Sequence, residues 1–290
     1  MDNLTNILTI KDLLSRHGFT FSKALGQNFL INPSVCPRMA EFCGAGKGVG
    51  VIEVGPGFGV LTHELCKRAD KVVSIELDKR LMPVLAETMA EHDNFKVINE
   101  DILKIDLHKL IEEEFKGMRV VVCANLPYYI TSPVIMKLLE DKLPIEAITV
   151  MVQKEAALRL CAEVGTRDSS AITVAVNYYS EPKLLFHVSS GSFMPAPKVD
   201  SAVIRLDLGG KTRVECKSEK MFFRVVKGAF SQRRKTVLNS ISSAMGLPKA
   251  EVEKALSESG VMPNARAEQL KLEDFAKISD SIYDRGNKDV

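Results

Sequence analysis

Short runs of apolar, β-branched residues recur along the first two thirds of the chain, separated by stretches in which apolar positions fall three and four apart. Val51-Ile52-Glu53-Val54, Val72-Val73-Ser74-Ile75, Val97-Ile98, Val120-Val121-Val122 and Ala147-Ile148-Thr149-Val150-Met151-Val152 read as strands. The stretches between them, such as Leu61 to Leu65 and Leu81 to Met89, read as helices. Strand alternating with helix requires crossover connections, which build a mostly parallel sheet. After Ala171 the rhythm changes, and Lys183 to Val188 and Ser201 to Leu208 read as further strands around a loop containing Pro195 and Pro197. From Glu219 the pattern is purely helical, with Phe222, Phe223, Val226 and Phe230 on one side. Gly246-Leu247-Pro248 and Met262-Pro263 break it. The expectation is an α/β domain over residues 1–210 and a small all-α domain over 211–290, with a polar end from Asp284 that frays.

Composition narrows the class. With 46% hydrophobic and 26% charged residues in 290, the chain matches a globular protein, and no apolar run reaches the roughly 18 residues needed to cross a membrane. The start of the chain has Asp2 and a helical pattern of Ile7, Leu8, Ile10, Leu13 and Leu14, where a signal peptide needs a basic start and an unbroken apolar stretch. A cytoplasmic location without membrane contact is expected. Cysteines 36, 43, 66, 123, 161 and 216 form no Cys-x-x-Cys pair and no His cluster accompanies them, so reduced, mostly buried thiols and no metal are expected. The net charge of +2 conceals an asymmetry: Lys211 to Ser240 holds nine Lys or Arg against Glu215 and Glu219, and the rest of the chain is acidic. A polyanion-binding face has this character, and so does a solvated helix with a basic side.

Val51-Ile52-Glu53-Val54-Gly55-Pro56-Gly57-Phe58-Gly59 is an apolar strand running into a glycine-rich turn, where backbone can approach a ligand closely. Alone, such a turn is as readily a tight connection. Glu76 ends the second strand, 21 positions beyond Gly55, where a carboxylate would accept ribose hydroxyls. Asp101, taken as the end of the third strand, would accept from an adenine amine. NAD is the competing ligand, but Gly55-x-Gly57-x-Gly59 departs from the G-x-G-x-x-G pyrophosphate fingerprint. S-adenosylmethionine, an adenosine without phosphate, fits better.

After the fourth strand comes Asn125-Leu126-Pro127-Tyr128, followed by Tyr129. Here the sequence resembles the amino-methyltransferases, whose fourth motif is (Asn/Asp/Ser)-x-Pro-(Tyr/Phe), and more closely the KsgA/RsmA family of small-subunit rRNA adenine dimethyltransferases. The resemblance covers nearly the whole chain: Lys23-Ala24-Leu25-Gly26-Gln27-Asn28-Phe29-Leu30, Gly55-Pro56-Gly57, Asn125 to Tyr128, Phe193-Met194-Pro195-Ala196-Pro197-Lys198-Val199-Asp200-Ser201-Ala202-Val203 and Ala229-Phe230-Ser231-Gln232-Arg233-Arg234-Lys235. It implies a Rossmann-like class I methyltransferase domain. It also implies S-adenosylmethionine as cofactor, bound by Asn28, Leu30, Gly55, Gly57, Glu76, Asp101 and Asn125. The substrate it implies is two adjacent adenines in the stem-loop near the 3′ end of 16S rRNA, each dimethylated at N6 on an assembling small subunit.

The chemistry accounts for such a motif. Adenine N6 is a poor nucleophile because its lone pair is delocalised into the ring, so acceptors must hold its hydrogens. In a site like the family's, the Asn125 side-chain oxygen and the Leu126 carbonyl would do so, and Pro127 would restrict the turn. Tyr128 and Phe193 would stack on a base drawn out of its neighbours. Arg224, Lys227, Arg233, Arg234 and Lys235 would contact phosphates. A monomer acting without a metal is expected. The competing readings are a large-subunit rRNA methyltransferase of the resistance type, an RNA-binding assembly factor without activity, and a nicotinamide-dependent oxidoreductase.

Overall fold

The computed structural model describes residues 4–18, 28–209 and 212–286. Lys23 to Gln27 of the N-terminal motif, the expected boundary at 210/211 and the last four residues lie outside the described residues. The strands are β1 (Phe29–Leu30), β2 (Val49–Val54), β3 (Lys71–Glu76), β4 (Phe95–Asn99), β5 (Arg119–Asn125), β6 (Ala147–Gln153), β7 (Glu181–Val188), β8 (Phe193–Met194) and β9 (Ser201–Asp207). The helices of the first two thirds are α1 (Ile7–Arg16), α2 (Val35–Phe42), α3 (Val60–Cys66), α4 (Met82–Thr88), α5 (Leu107–Glu114), α6 (Thr131–Glu140), α7 (Lys154–Leu160) and α8 (Ala171–Tyr179). They are followed by α9 (Glu219–Phe230), α10 (Val237–Met245), α11 (Lys249–Glu258) and α12 (Leu272–Asp284).

Seven strands form one sheet in the order β4-β3-β2-β5-β6-β9-β7. The run from β4 to β6 is parallel, and β9 enters antiparallel beside β6. All six residues of β2 are buried, so both faces of the sheet are covered there, as its mainly apolar run requires. Gly50 in this strand makes room for a neighbour: a Cβ there would lie 2.1 Å from the Phe115 ring. Strand β4 ends the row, and its residues are correspondingly half-exposed. Beside the main sheet, β1 and β8 pair antiparallel, with Leu30 opposite Phe193 and Phe29 opposite Met194.

The chain divides into two compact units, Met1–Ala157 with Lys183–Leu208, and Leu158–Pro182 with Gly209–Val290. The second unit holds α8 together with α9 to α12. Its core is aromatic: Phe222 lies 4.7 Å from Tyr178 between ring centroids, and Phe223 stacks on Tyr179 at 5.4 Å. Ser218 caps α9 by accepting the Met221 N–H at 3.2 Å. All six cysteines are free thiols. Among the described residues no helix is long and apolar enough to cross a membrane.

Candidate active site

Because β2, β3, β4 and β5 run parallel, their carboxyl ends share one edge of the sheet. From β2 the chain proceeds to β3 and β4 on one side, then returns to place β5 on the other. Ligands of open α/β sheets bind at such a switch point. A cavity of about 310 Å³ opens there. It is lined by Asn28, Leu30, Gly55, Gly57, Glu76, Asp101, Asn125, Leu126, Pro127, Tyr128 and Phe193, so the candidate residues of six separate segments meet in one place.

The glycine turn follows β2. Gly57 has φ +59, and a Cβ on it would stand 3.1 Å from the Phe29 ring, so conformation and space both call for glycine. Phe29 in turn stacks on Phe58 with ring centroids 3.9 Å apart. This couples the N-terminal motif to the glycine turn, while the β1–β8 pairing couples it to Phe193.

Glu76 closes β3 as a buried carboxylate that accepts the Asp78 N–H at 2.8 Å. Burial, partly offset by backbone N–H groups from Asp78, Gly57 and Leu77, pushes its carboxyl up to about 7. Asp101 lies two residues beyond β4 rather than at its end, in a turn where its Oδ1 accepts the Leu103 N–H at 2.9 Å. Asn125 ends β5 opposite Met151 of β6, and the Leu126 N–H continues that ladder to the Met151 carbonyl at 3.1 Å. Neither the Asn125 side chain nor the Leu126 carbonyl is engaged by a described residue. The Tyr128 hydroxyl hydrogen-bonds Ser201 Oγ at 2.7 Å.

Glu53 is a site residue the sequence reading passed over. It lines the cavity and is 1% exposed, its Oε2 accepts from Thr62 at 2.7 Å and Ser74 at 2.5 Å, and its Oε1 is buried without a partner. Burial pushes this carboxyl up to about 7 as well. The signal was present: a lone acid inside an apolar strand, two positions before the first glycine of the turn. With Glu76, Glu100 and Asp101 it makes four carboxyl groups lining the cavity, and among the described residues no Lys or Arg does. Such a donor set repels a pyrophosphate and suits a cationic ligand with hydroxyls and an amine.

In the helical unit a second cavity of about 330 Å³ is lined by Arg233, Arg234 and Lys235. Arg167 and Arg266, which the sequence reading had not singled out, join them there, beside Asp168 and Glu268. None of these five cations forms an ion pair with a described residue. Ser169 Oγ lies buried in the same wall without a hydrogen-bond partner. Arg224 and Lys227 sit on α9 outside this cavity, Arg224 half-buried with one guanidinium nitrogen unpartnered.

The sheet order, its antiparallel β9 and the crevice at the switch point define a Rossmann-like class I methyltransferase fold. The dinucleotide-binding order, six strands 3-2-1-4-5-6, differs. Residues 18–284 match the model of the ribosomal RNA adenine dimethylase family, and the chain belongs to that family. It is 45% identical over 283 residues to ribosomal RNA small subunit methyltransferase A of Alkaliphilus oremlandii, covering 97% of this chain and 99% of that one. The protein of the same name from Anoxybacillus flavithermus is 46% identical over 277 residues, 94% of each chain. Among solved structures, the 23S rRNA methyltransferase ErmE superposes with a TM-score of 0.66 at 29% identity, over 88% of this chain and 99% of that one. A dimethyladenosine transferase from Plasmodium falciparum shares the fold with a TM-score of 0.71 at 24% identity, over 89% and 98%.

Proposed function

We propose that this enzyme dimethylates N6 of two adjacent adenines in the 3′-terminal stem-loop of 16S rRNA, using S-adenosylmethionine, during small-subunit biogenesis. The observation that carries the reading is the convergence of the glycine turn, Glu76, Asp101 and Asn125-Leu126-Pro127-Tyr128 on one carboxylate-lined cavity. The 45% identity to a small-subunit enzyme, against 29% to a 23S enzyme, supports the small subunit as target. The reading extends to a monomer working in the cytoplasm on an assembling subunit.

S-adenosylmethionine supplies a methyl group on a positively charged sulfur. Around it, Glu76 accepts ribose hydroxyls, Asp101 accepts the adenine amine, and the free Oε1 of Glu53 accepts from the ammonium group. Asn28, just before β1, and Leu30 within it cover the cofactor. The Asn125 side-chain oxygen and the Leu126 carbonyl hold the two hydrogens of the target N6 and favour the charge that builds on it. Because Leu126 and Asn125 are pinned to Met151 through the β-ladder, those acceptors keep their positions without reorganising. Tyr128 and Phe193 stack on the base. The basic cavity of the helical unit, with Arg224 and Lys227, neutralises rRNA phosphates.

Incubating the protein with labelled S-adenosylmethionine and unmethylated small subunits should yield N6,N6-dimethyladenosine on nuclease digestion. Subunit binding without methyl transfer would instead identify a non-catalytic assembly factor.

A further inference from the structure

Away from the cofactor cavity, three ligand-type side chains converge from segments that the sequence separates. His63 on α3, and Glu91 and His92 in the turn after α4, each bring a donor atom within 4.8 Å of the other two. His63 Nδ1 and His92 Nε2 are 2.6 Å apart, and Glu91 Oε1 stands 3.8 Å from the first and 3.9 Å from the second. The two rings meet edge to face, with centroids 4.7 Å apart and planes at 71°. The histidines are partly buried and Glu91 is exposed, so the group lies at the surface with an open side. Lys67, the residue that follows α3, is held by Glu64 at 2.9 Å.

At 2.6 Å one imidazole nitrogen donates a hydrogen bond to the other, so both ring nitrogens point at a common region of space. An ion placed there would replace the shared proton. Nitrogens bound to tetrahedral zinc lie about 3.3 Å apart, so the rings need to part by under about 1 Å and the carboxylate to close by less. Both moves are within rotamer adjustment of surface side chains. Two imidazoles and one carboxylate are the donor set of an open, three-ligand zinc site, and imidazole nitrogen disfavours magnesium and calcium.

We propose that His63, Glu91 and His92 form a binding site for a zinc-class divalent cation, with water as the fourth ligand. The ion would clip α3 to the end of α4. The same stretch contributes Met89, whose sulfur would lie 2.8 Å from a Cβ at Gly59, the residue that opens α3. The clip therefore secures the packing beneath the last glycine of the cofactor turn.

The test is a titration of the untagged, full-length protein with Co2+, followed by visible absorption and then by competition with Zn2+. One equivalent of Co2+ should develop the intense visible bands of a four-coordinate site, and Zn2+ should abolish them and raise the Tm. His63→Ala and His92→Ala should lose the bands, and Glu91→Gln, an exposed position where misfolding is not at issue, should weaken binding by at least about tenfold. Asn125→Ala should bind Co2+ unchanged. No visible band with the wild type, or a band retained by the His63→Ala/His92→Ala double variant, would overturn the proposal. A thiolate charge-transfer band would overturn it too, by assigning the metal to cysteine.

Discussion

The hydroxyls of Tyr128 and Ser201 lie 2.7 Å apart, so the aromatic residue after the Asn-Leu-Pro turn is tethered to the first residue of β9. The tether orients the ring, and on the proposed function the ring would stack on the target base, two roles that mutation separates. Tyr128→Phe loses only the hydrogen bond, about 1 kcal/mol of stability, and should keep kcat/KM within a few-fold. Tyr128→Ala also loses the stacking surface and should cost about 1–3 kcal/mol in kcat/KM. Unchanged kinetics in Tyr128→Ala would remove this residue from the base site.

Glu53 and Glu76 set a pH dependence whose sign is defined. Burial holds both carboxyls near 7, up from an ordinary value of 4.5. Between those values the folded protein keeps protons that the unfolded chain has released, so their contribution to cofactor-free stability is full below 4.5 and is lost as pH rises through about 7. Each group accounts for about 3 kcal/mol at full effect. In urea unfolding from pH 5 to pH 8, Glu76→Gln should show a smaller fall than the wild type; an equal fall would contradict the assignment. Ribose hydroxyls donated to Glu76 favour its charged form, so S-adenosylmethionine should bind more tightly at pH 8 than at pH 6, with proton release measurable by calorimetry.

The glycine turn offers a steric test. Ala at position 57 would have to adopt φ +59 and press its Cβ against Phe29 at 3.1 Å. Gly57→Ala should lose about 1–2 kcal/mol of stability and weaken the cofactor more than the rRNA. Equal cofactor affinity in the variant would show that the turn is only a connection.

The basic cavity predicts a salt effect. Neutralising Arg167 or Arg266 should lower the slope of log K for rRNA binding against log salt by about 0.7–0.9 each, as for Arg233 to Lys235. A slope unchanged by Arg167→Gln and Arg266→Gln would leave them as surface residues.

The parallel sheet was legible because β2, β3, β5 and β6 are mostly buried on both faces and carry short runs rich in β-branched residues. The cofactor edge was legible for a related reason, since the ends of parallel strands share an edge once the strand order is known. What escaped was long-range pairing. No local pattern announces that two-residue β1 meets β8 across more than 160 positions, and only that pairing brings Leu30 and Phe193 together. Glu53 was passed over because an acid within an apolar strand is read only as a member of that strand. Arg167 and Arg266 lay outside the basic stretch that drew attention to Arg233, Arg234 and Lys235, and only the helical packing assembles them. His63 and His92, 29 positions apart, are joined in the same way.

If Asn125 and the Leu126 carbonyl hold the target amine for attack, single-turnover methyl transfer by Asn125→Ala on unmethylated small subunits reads out that hold. The rate should fall by about 10²- to 10³-fold, as when one preorganised hydrogen-bonding group is removed elsewhere, with subunit binding intact. Methyl transfer within a few-fold of the wild-type rate would remove Asn125 from the grip on the target amine.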